Sequence, residues 1–123
     1  MAKDAIGITR AMYRAYVDKN RAAIEPLIAD DFHFTSPLDS RIDRATYFER
    51  CWPNSERSER FDFVNLVTDG DRVIVTYEGL GKDGHRFRNT EIVTLRDGKA
   101  IEVEEYFGWS IPHRAPLGEF VDP

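Results

Sequence analysis

The sequence predicts an α+β fold, with helices in its first part and an antiparallel meander in its second. Apolar residues recur at helical spacing early in the chain. Between Phe61 and Trp109, the dipeptides Asp69-Gly70, Asp83-Gly84 and Asp97-Gly98 separate runs of alternating apolar and polar residues, the strongest short-range hairpin signal. Size agrees: 123 residues, 41% hydrophobic and 32% charged, suit one domain over 1–123 whose core needs no disulfide.

Residues 4–19 are expected to form the first helix, with Ile8, Met12, Ala15 and Tyr16 on one stripe and Ile6, Tyr13 and Val17 beside it. A short second helix is expected over 21–29, burying Ala23, Ile24, Leu27 and Ile28, with Pro26 as its weak point. Phe32, Phe34 and Ser36 then alternate with His33 and Thr35, a short strand closed by Pro37. A third helix is expected over 44–51, capped by Asp43 and stopped by Pro53, with Tyr47, Phe48 and Cys51 inward. Four strands follow.

Composition excludes several classes. Net charge is −5, from 17 basic and 22 acidic residues, which argues against nucleic-acid binding by phosphate neutralisation. Apolar runs are too short for a membrane span. MAKDAIGITR lacks the apolar core of a secretory leader, and Cys51 is the single cysteine, so a cytoplasmic, reducing location is expected. No His/Cys/Asp spacing resembles a metal site, no Gly-rich phosphate loop is present, and no cofactor is expected.

The turns permit a register argument, because the apolar sets of neighbouring strands must share a face. A three-residue connection at each Asp-Gly, a type I turn with a bulge and glycine in the left-handed region, brings the sets together. It puts Val67 opposite Val73 and makes a row Phe63–Tyr77–Glu91–Glu105. Beside it lie the rows Asn65–Val75–Val93–Val103 and Phe61–Gly79–Asn89–Phe107.

Glu91 and Glu105 each interrupt an apolar set, and the register sets them side by side, with Cβ atoms about 5 Å apart. Two carboxylates so placed in a desolvated site share a proton, one acid staying neutral while its neighbour can accept. Tyr77 can add a phenolic donor, and Asn89 lies on the same face. The alternatives are a sheet end open to water, or neutralisation by Arg10 or Arg14 from the first helix. Candidate catalytic residues are Glu91, Glu105, Tyr13, Tyr77 and Asp39. Candidate substrate-binding residues are Asn89, Phe63, Phe107 and Trp109, with Ser36, Phe34 and Trp52.

Across nearly its whole length the chain resembles the NTF2-like superfamily, of the SnoaL-like and ketosteroid isomerase-like kind. The resemblance rests on the tyrosine-bearing first helix, Leu27-Ile28-Ala29-Asp30-Asp31-Phe32, Thr35-Ser36-Pro37, Asp97-Gly98-Lys99 and Glu104-Glu105-Tyr106-Phe107. It implies a cone: three N-terminal helices packed on a curved, mostly antiparallel sheet around an apolar pocket. It also implies a homodimer through the outer sheet face, where Val64, Leu66, Ile74 and Ile92 are expected.

Carried over by position, Tyr13 resembles the substrate-oxygen donor of the steroid isomerases, and Glu91 their protonated acid. Ser36 stands where those enzymes hold an aspartate base, with Asp39 three residues on. Glu105 resembles the strand-five carboxylate of the limonene epoxide hydrolases, but Tyr77 and Gly79 fall where their Arg-x-Asp pair would be. The expected function is cofactor-free acid/base isomerisation, cyclisation or dehydration of a small apolar, carbonyl-bearing molecule. The alternative is a non-catalytic apolar-ligand-binding or dimerisation module.

Overall fold

The computed structural model describes residues 4–123. Three helices, α1 (Ala5–Val17), α2 (Arg21–Ile24) and α3 (Arg44–Arg50), accompany six strands. These are β1 (Ile28–Ser36), β2 (Asp39–Asp43), β3 (Ser58–Asp69), β4 (Arg72–Gly81), β5 (Arg86–Arg96) and β6 (Lys99–Ile111). They form one curved, unclosed mixed sheet in the order β2-β1-β6-β5-β4-β3, with only β1 and β6 parallel. The α+β architecture expected from the sequence is present.

Local chemistry explains the helix ends. Asp4 caps α1 by accepting from the Gly7 amide at 2.6 Å, and Asn20 caps α2 by accepting from Ala23 at 3.2 Å. Lys19, at φ 56°, turns the chain between the two helices. The second helix is shorter than expected. Pro26 sits in a 3-10 turn, Glu25–Leu27, so Ile28 and Ala29 open β1 instead of ending a helix. Asp43 caps α3 as expected, accepting from Thr46 at 2.9 Å.

Strand β2 has no counterpart in the sequence reading. Its residues Asp39-Ser40-Arg41-Ile42-Asp43 offer one apolar side chain, because an edge strand needs no alternating pattern. It pairs with β1 across Pro37 and Leu38, with Ser36 opposite Asp39.

The core lies between helices and sheet. Ile8, Met12, Ile24, Phe32 and Phe48 meet Val93, Ala100 and Val103. A second cluster of Val73, Val75 and Tyr77 packs against Phe61 and Phe63.

The turns differ from expectation in an instructive way. At Asp97-Gly98 the loop has two residues, both at positive φ (53° and 79°), the pattern of a type I′ turn, and Arg96 pairs with Lys99. The compensating bulge lies inside the ladder, at Ile101, between the pairs Leu95/Ala100 and Thr94/Glu102. Ala100 is therefore the buried residue where Ile101 was expected. A second two-residue turn, Gly70-Asp71, is compensated by a bulge at Val64. That bulge flips parity: Leu66 packs inward opposite Val75, and Val67 faces outward opposite Ile74 rather than Val73.

The β4–β5 loop has three residues, as expected, but starts earlier. The Gly81 amide donates to His85 O at 2.9 Å across Lys82-Asp83-Gly84. The β4–β5 rows therefore slide by two residues: Tyr77 faces Asn89, Val75 faces Glu91, and Gly79 faces Phe87. The β5–β6 rows stand as expected, with Glu91 opposite Glu105, Val93 opposite Val103 and Asn89 opposite Phe107.

Candidate active site

Glu91 and Glu105 share the inward face with Val93 and Val103, which are buried. Each carboxyl meets a different tyrosine. The Tyr13 hydroxyl, reaching down from α1, donates to Glu91 Oε1. The Tyr77 hydroxyl, from β4, donates to Glu105 Oε1 at 2.7 Å. Asn89 Nδ2 donates in turn to Tyr77 Oη at 3.3 Å, and the Gly108 amide donates to Asn89 Oδ1 at 3.1 Å.

Gly108 is required here. It is the extra residue in a second β6 bulge, between the pairs Asn89/Phe107 and Arg88/Trp109. A Cβ at this position would lie 2.1 Å from Arg88 O. The bulge turns the Gly108 amide onto Asn89, so a backbone irregularity anchors one end of the side-chain network.

The electrostatics follow from burial. Desolvation holds the Glu91 carboxyl well above the ordinary carboxylate range, and the charge and hydrogen bonding of Glu105 push it further up. The Tyr13 hydrogen bond acts the other way, favouring the ionised form. Burial first, then the charge of Glu91, raises the Tyr13 phenol well above its usual value. Tyr77 is raised by burial and by both glutamates. The phenols therefore stay protonated donors at neutral pH. Neither suggested arginine reaches the pair: Arg10 lies over the Phe63 ring, 5.3 Å from its centre, and Arg14 pairs with Asp18 at 3.4 Å.

The pair sits in a cavity of about 450 Å³ between the helices and the sheet. Of the residues singled out in the sequence, Tyr13, Tyr77, Glu91, Glu105 and Asp39 all line it, as do Asn89, Phe107, Ser36 and Phe34. Three do not. Phe63 packs behind Tyr13, with ring centres 5.2 Å apart, on the far side of that ring. Trp109 lies on β6 beyond the Gly108 bulge and is 51% exposed. Trp52 packs edge-on against Tyr16 at 5.5 Å and supports the wall without reaching the cavity.

Asp39 is fully engaged. Its Oδ2 accepts from Ser36 Oγ at 2.8 Å, and its Oδ1 meets Arg50 Nε at 3.3 Å. The sequence reading missed Tyr16, Tyr47, Phe87 and Arg57 as lining residues. Tyr47 was legible as an inward residue of the third helix, but nothing in its spacing says that it lines a cavity. Cys51 also lines the cavity, its thiol pushed up to about 12 by burial and by the charges of Asp39 and Glu105, so it is a poor nucleophile. Among the described residues, no group of three His, Cys, Asp or Glu side chains is placed to hold a metal ion.

Residues 9–103 match the SnoaL-like domain family. The chain belongs to that family. Solved structures agree on its NTF2-like fold. A protein from Kribbella flavida aligns with TM-score 0.75 at 19% identity, covering 85% of this chain and 86% of its own. An epoxide hydrolase from M. tuberculosis, described as LEH-like, aligns with TM-score 0.72 at 17% identity, covering 85% and 82%. A putative polyketide cyclase from Sinorhizobium meliloti aligns with TM-score 0.68 at 18% identity, covering 80% and 93%. At these identities the likeness is one of fold. Comparison with curated proteins returns no match. No helix of this SnoaL-like chain is long and apolar enough to cross a membrane, among the described residues.

Proposed function

We propose that this SnoaL-like protein is an enzyme that isomerises, cyclises or dehydrates a small, largely apolar, carbonyl-bearing molecule by acid/base chemistry. The observation that carries the reading is the opposed pair Glu91/Glu105, each carboxyl fixed by its own tyrosine and both facing a cavity otherwise rich in aromatic rings. Glu91 is the acid that keeps its proton, and Glu105 is the base. Glu105 takes a proton from the carbon beside the carbonyl, the C–H electron pair moves onto the carbonyl oxygen, and Glu91 stabilises the resulting enolate by hydrogen bonding. Returning the proton at another carbon isomerises the substrate, attack by the enolate closes a ring, and loss of a β-hydroxyl as water dehydrates it.

Two roles change from those expected. Tyr13 and Tyr77 act on the carboxyls, because their hydroxyl protons are already committed there. Asp39 is a poorer base than Glu105, because Ser36 and Arg50 occupy both its oxygens.

The test is turnover across a panel of ketones, lactones and hydroxy ketones. Glu91→Gln and Glu105→Gln should each lower it by about 10²-fold or more while the fold is retained. Full activity in both variants removes the assignment. A second reading, a non-catalytic binder of an apolar ligand, is favoured by one observation: Ser36 and Arg50 engage both oxygens of Asp39, and a tyrosine hydroxyl donates to each glutamate. A ligand that co-purifies unchanged, with no turnover on the panel, supports that reading.

The outer sheet face supports a homodimer. Val67, Ile74 and Ile92 form a row across three strands, Val64 lies nearby, and Val64 and Val67 are 44% and 50% exposed. Val67 takes the place expected for Leu66.

A further inference from the structure

Four of the five tyrosines line the cavity, and their hydroxyls are not equivalent. Tyr13 donates to Glu91, Tyr77 donates to Glu105, and Tyr16 donates to Cys51 O at 3.3 Å. Tyr47 has no hydrogen-bond partner among the described residues. Its oxygen is not sealed in protein either. The fully enclosed side-chain polar atoms without a partner are Ser55 Oγ and Arg88 Nε, both elsewhere. The Tyr47 hydroxyl is thus unpartnered and not sealed in protein, on a ring that lines the cavity.

The ring is held in place. Tyr47 packs against Phe32 at 5.1 Å, Phe34 at 5.3 Å and Phe48 at 5.4 Å between ring centres, and Phe32 and Phe48 are almost fully buried. A phenol fixed by three aromatic neighbours loses little freedom when it binds, which is what a preorganised donor requires. The phenol is raised well above its usual value, first by burial, then by neighbouring groups including Tyr16, Glu91 and Glu105, so it remains a donor. A desolvated donor without an acceptor is costly, and a ligand oxygen removes that cost.

We infer that Tyr47 gives the substrate's oxygen a second hydrogen bond beside that of Glu91: its unpartnered hydroxyl, on a ring lining the same cavity as the Glu91/Glu105 pair, selects compounds with a carbonyl acceptor. This rests on the acid/base reading of the same cavity. It assigns Tyr47 a hydrogen bond only. The phenolic proton stays on Tyr47, and proton transfer belongs to the glutamates.

The probe is 1-tetralone, with tetralin as the same skeleton lacking the oxygen. Wild type is expected to bind tetralone about 10-fold tighter than tetralin and to lower the carbonyl stretching frequency of bound tetralone in difference infrared spectra. Tyr47→Phe, which keeps the ring, should reduce both the preference and the frequency shift while tetralin affinity stays the same. Tyr16→Phe removes a hydroxyl that is already paired and should keep both. The Tyr47 Cζ carbon signal of the wild type should also move on saturation with tetralone and not with tetralin, a readout that needs no variant to fold.

A tetralone preference and frequency shift that survive undiminished in Tyr47→Phe overturn the inference, as does a wild type that binds neither probe or makes no distinction between them. The turnover tests of Glu91→Gln and Glu105→Gln stand apart from this. A carbonyl shift lost only in Glu91→Gln leaves Glu91 as the single donor, overturns the inference and leaves the acid/base reading intact. A shift reduced in Tyr47→Phe together with full turnover in both glutamate variants does the reverse.

Discussion

Glu91 on β5 and Glu105 on β6 stand directly opposite each other on the inner face of the sheet, and a separate tyrosine donates to each. Burial, then the charge of Glu105, holds the Glu91 carboxyl well above the range of an exposed glutamate. That has a consequence for stability. A carboxyl whose value is higher in the folded than in the unfolded state binds more protons when folded, so folding loses stability as pH rises from the ordinary carboxylate range through the raised folded value. Thermal melts between pH 5 and 8 should show wild type weakening relative to Glu91→Gln as pH rises. Parallel melting curves across that range would mean that the carboxyl ionises freely.

Tyr13→Phe removes the hydrogen bond that favours the ionised form of Glu91. The Glu91 value should rise further, and stability should fall by about 1–3 kcal/mol at neutral pH, the cost of leaving a buried polar group without its partner. Denaturant unfolding gives the second quantity, and carboxyl-carbon NMR gives the first.

Gly108→Ala tests the bulge. A Cβ placed 2.1 Å from Arg88 O forces the backbone apart, and the amide that holds Asn89 moves with it. A loss of about 2 kcal/mol or more is expected, accompanied by a change in the Tyr77 ring environment in NMR spectra. A surface glycine with open space, such as Gly118, should tolerate crowding better, although its φ of 80° still disfavours a side chain.

Asp39→Asn separates the two candidate bases. Because Ser36 and Arg50 already hold both oxygens, turnover should fall less than about tenfold, against about 10²-fold or more for Glu105→Gln. Equal losses in kcat for the two variants would reassign the base.

Phe32 and Val67 test the two sides of the sheet. Phe32, 1% exposed, sits in the core, and truncation to Ala should cost about 3–5 kcal/mol by urea titration. Val67→Glu faces outward, so it should leave the melting temperature nearly unchanged and, on the proposed homodimer, shift sedimentation from dimer to monomer. A core-sized loss at Val67 would mean that the parity flip at Val64 is wrong.

Much of this was readable from the residues, and the exceptions have physical causes. Opposition of Glu91 and Glu105 followed from matching apolar sets across Asp97-Gly98, and it survives because the two-residue turn with its bulge at Ile101 gives the same register at that pair as the expected three-residue connection. How the chain achieves the match was not readable. A two-residue turn with a bulge at Ile101 and a three-residue turn satisfy the same hydrophobic pattern, and only backbone geometry distinguishes them. The β4–β5 slide was hidden for a related reason. A two-residue shift keeps every side chain on its own face, so the apolar pattern cannot detect it. It moved Tyr77 from Glu91 to Asn89, and the hydroxyl then reached Glu105 diagonally. Strand β2 was invisible because an edge strand carries no apolar alternation. Tyr47 was visible as a helix residue, but whether a phenol is paired or open depends on contacts made by residues distant in sequence.

The most direct measurement is a pH titration of the glutamate side-chain carboxyl carbons by NMR, with Glu91→Gln and Glu105→Gln for assignment. The Glu91 carbon should titrate well above the ordinary glutamate value of about 4.3. In Glu105→Gln its midpoint should fall part of the way back, because the neighbouring charge is lost while the burial remains. A Glu91 midpoint near the ordinary value, unchanged by Glu105→Gln, would contradict a desolvated, coupled pair and with it the acid/base mechanism.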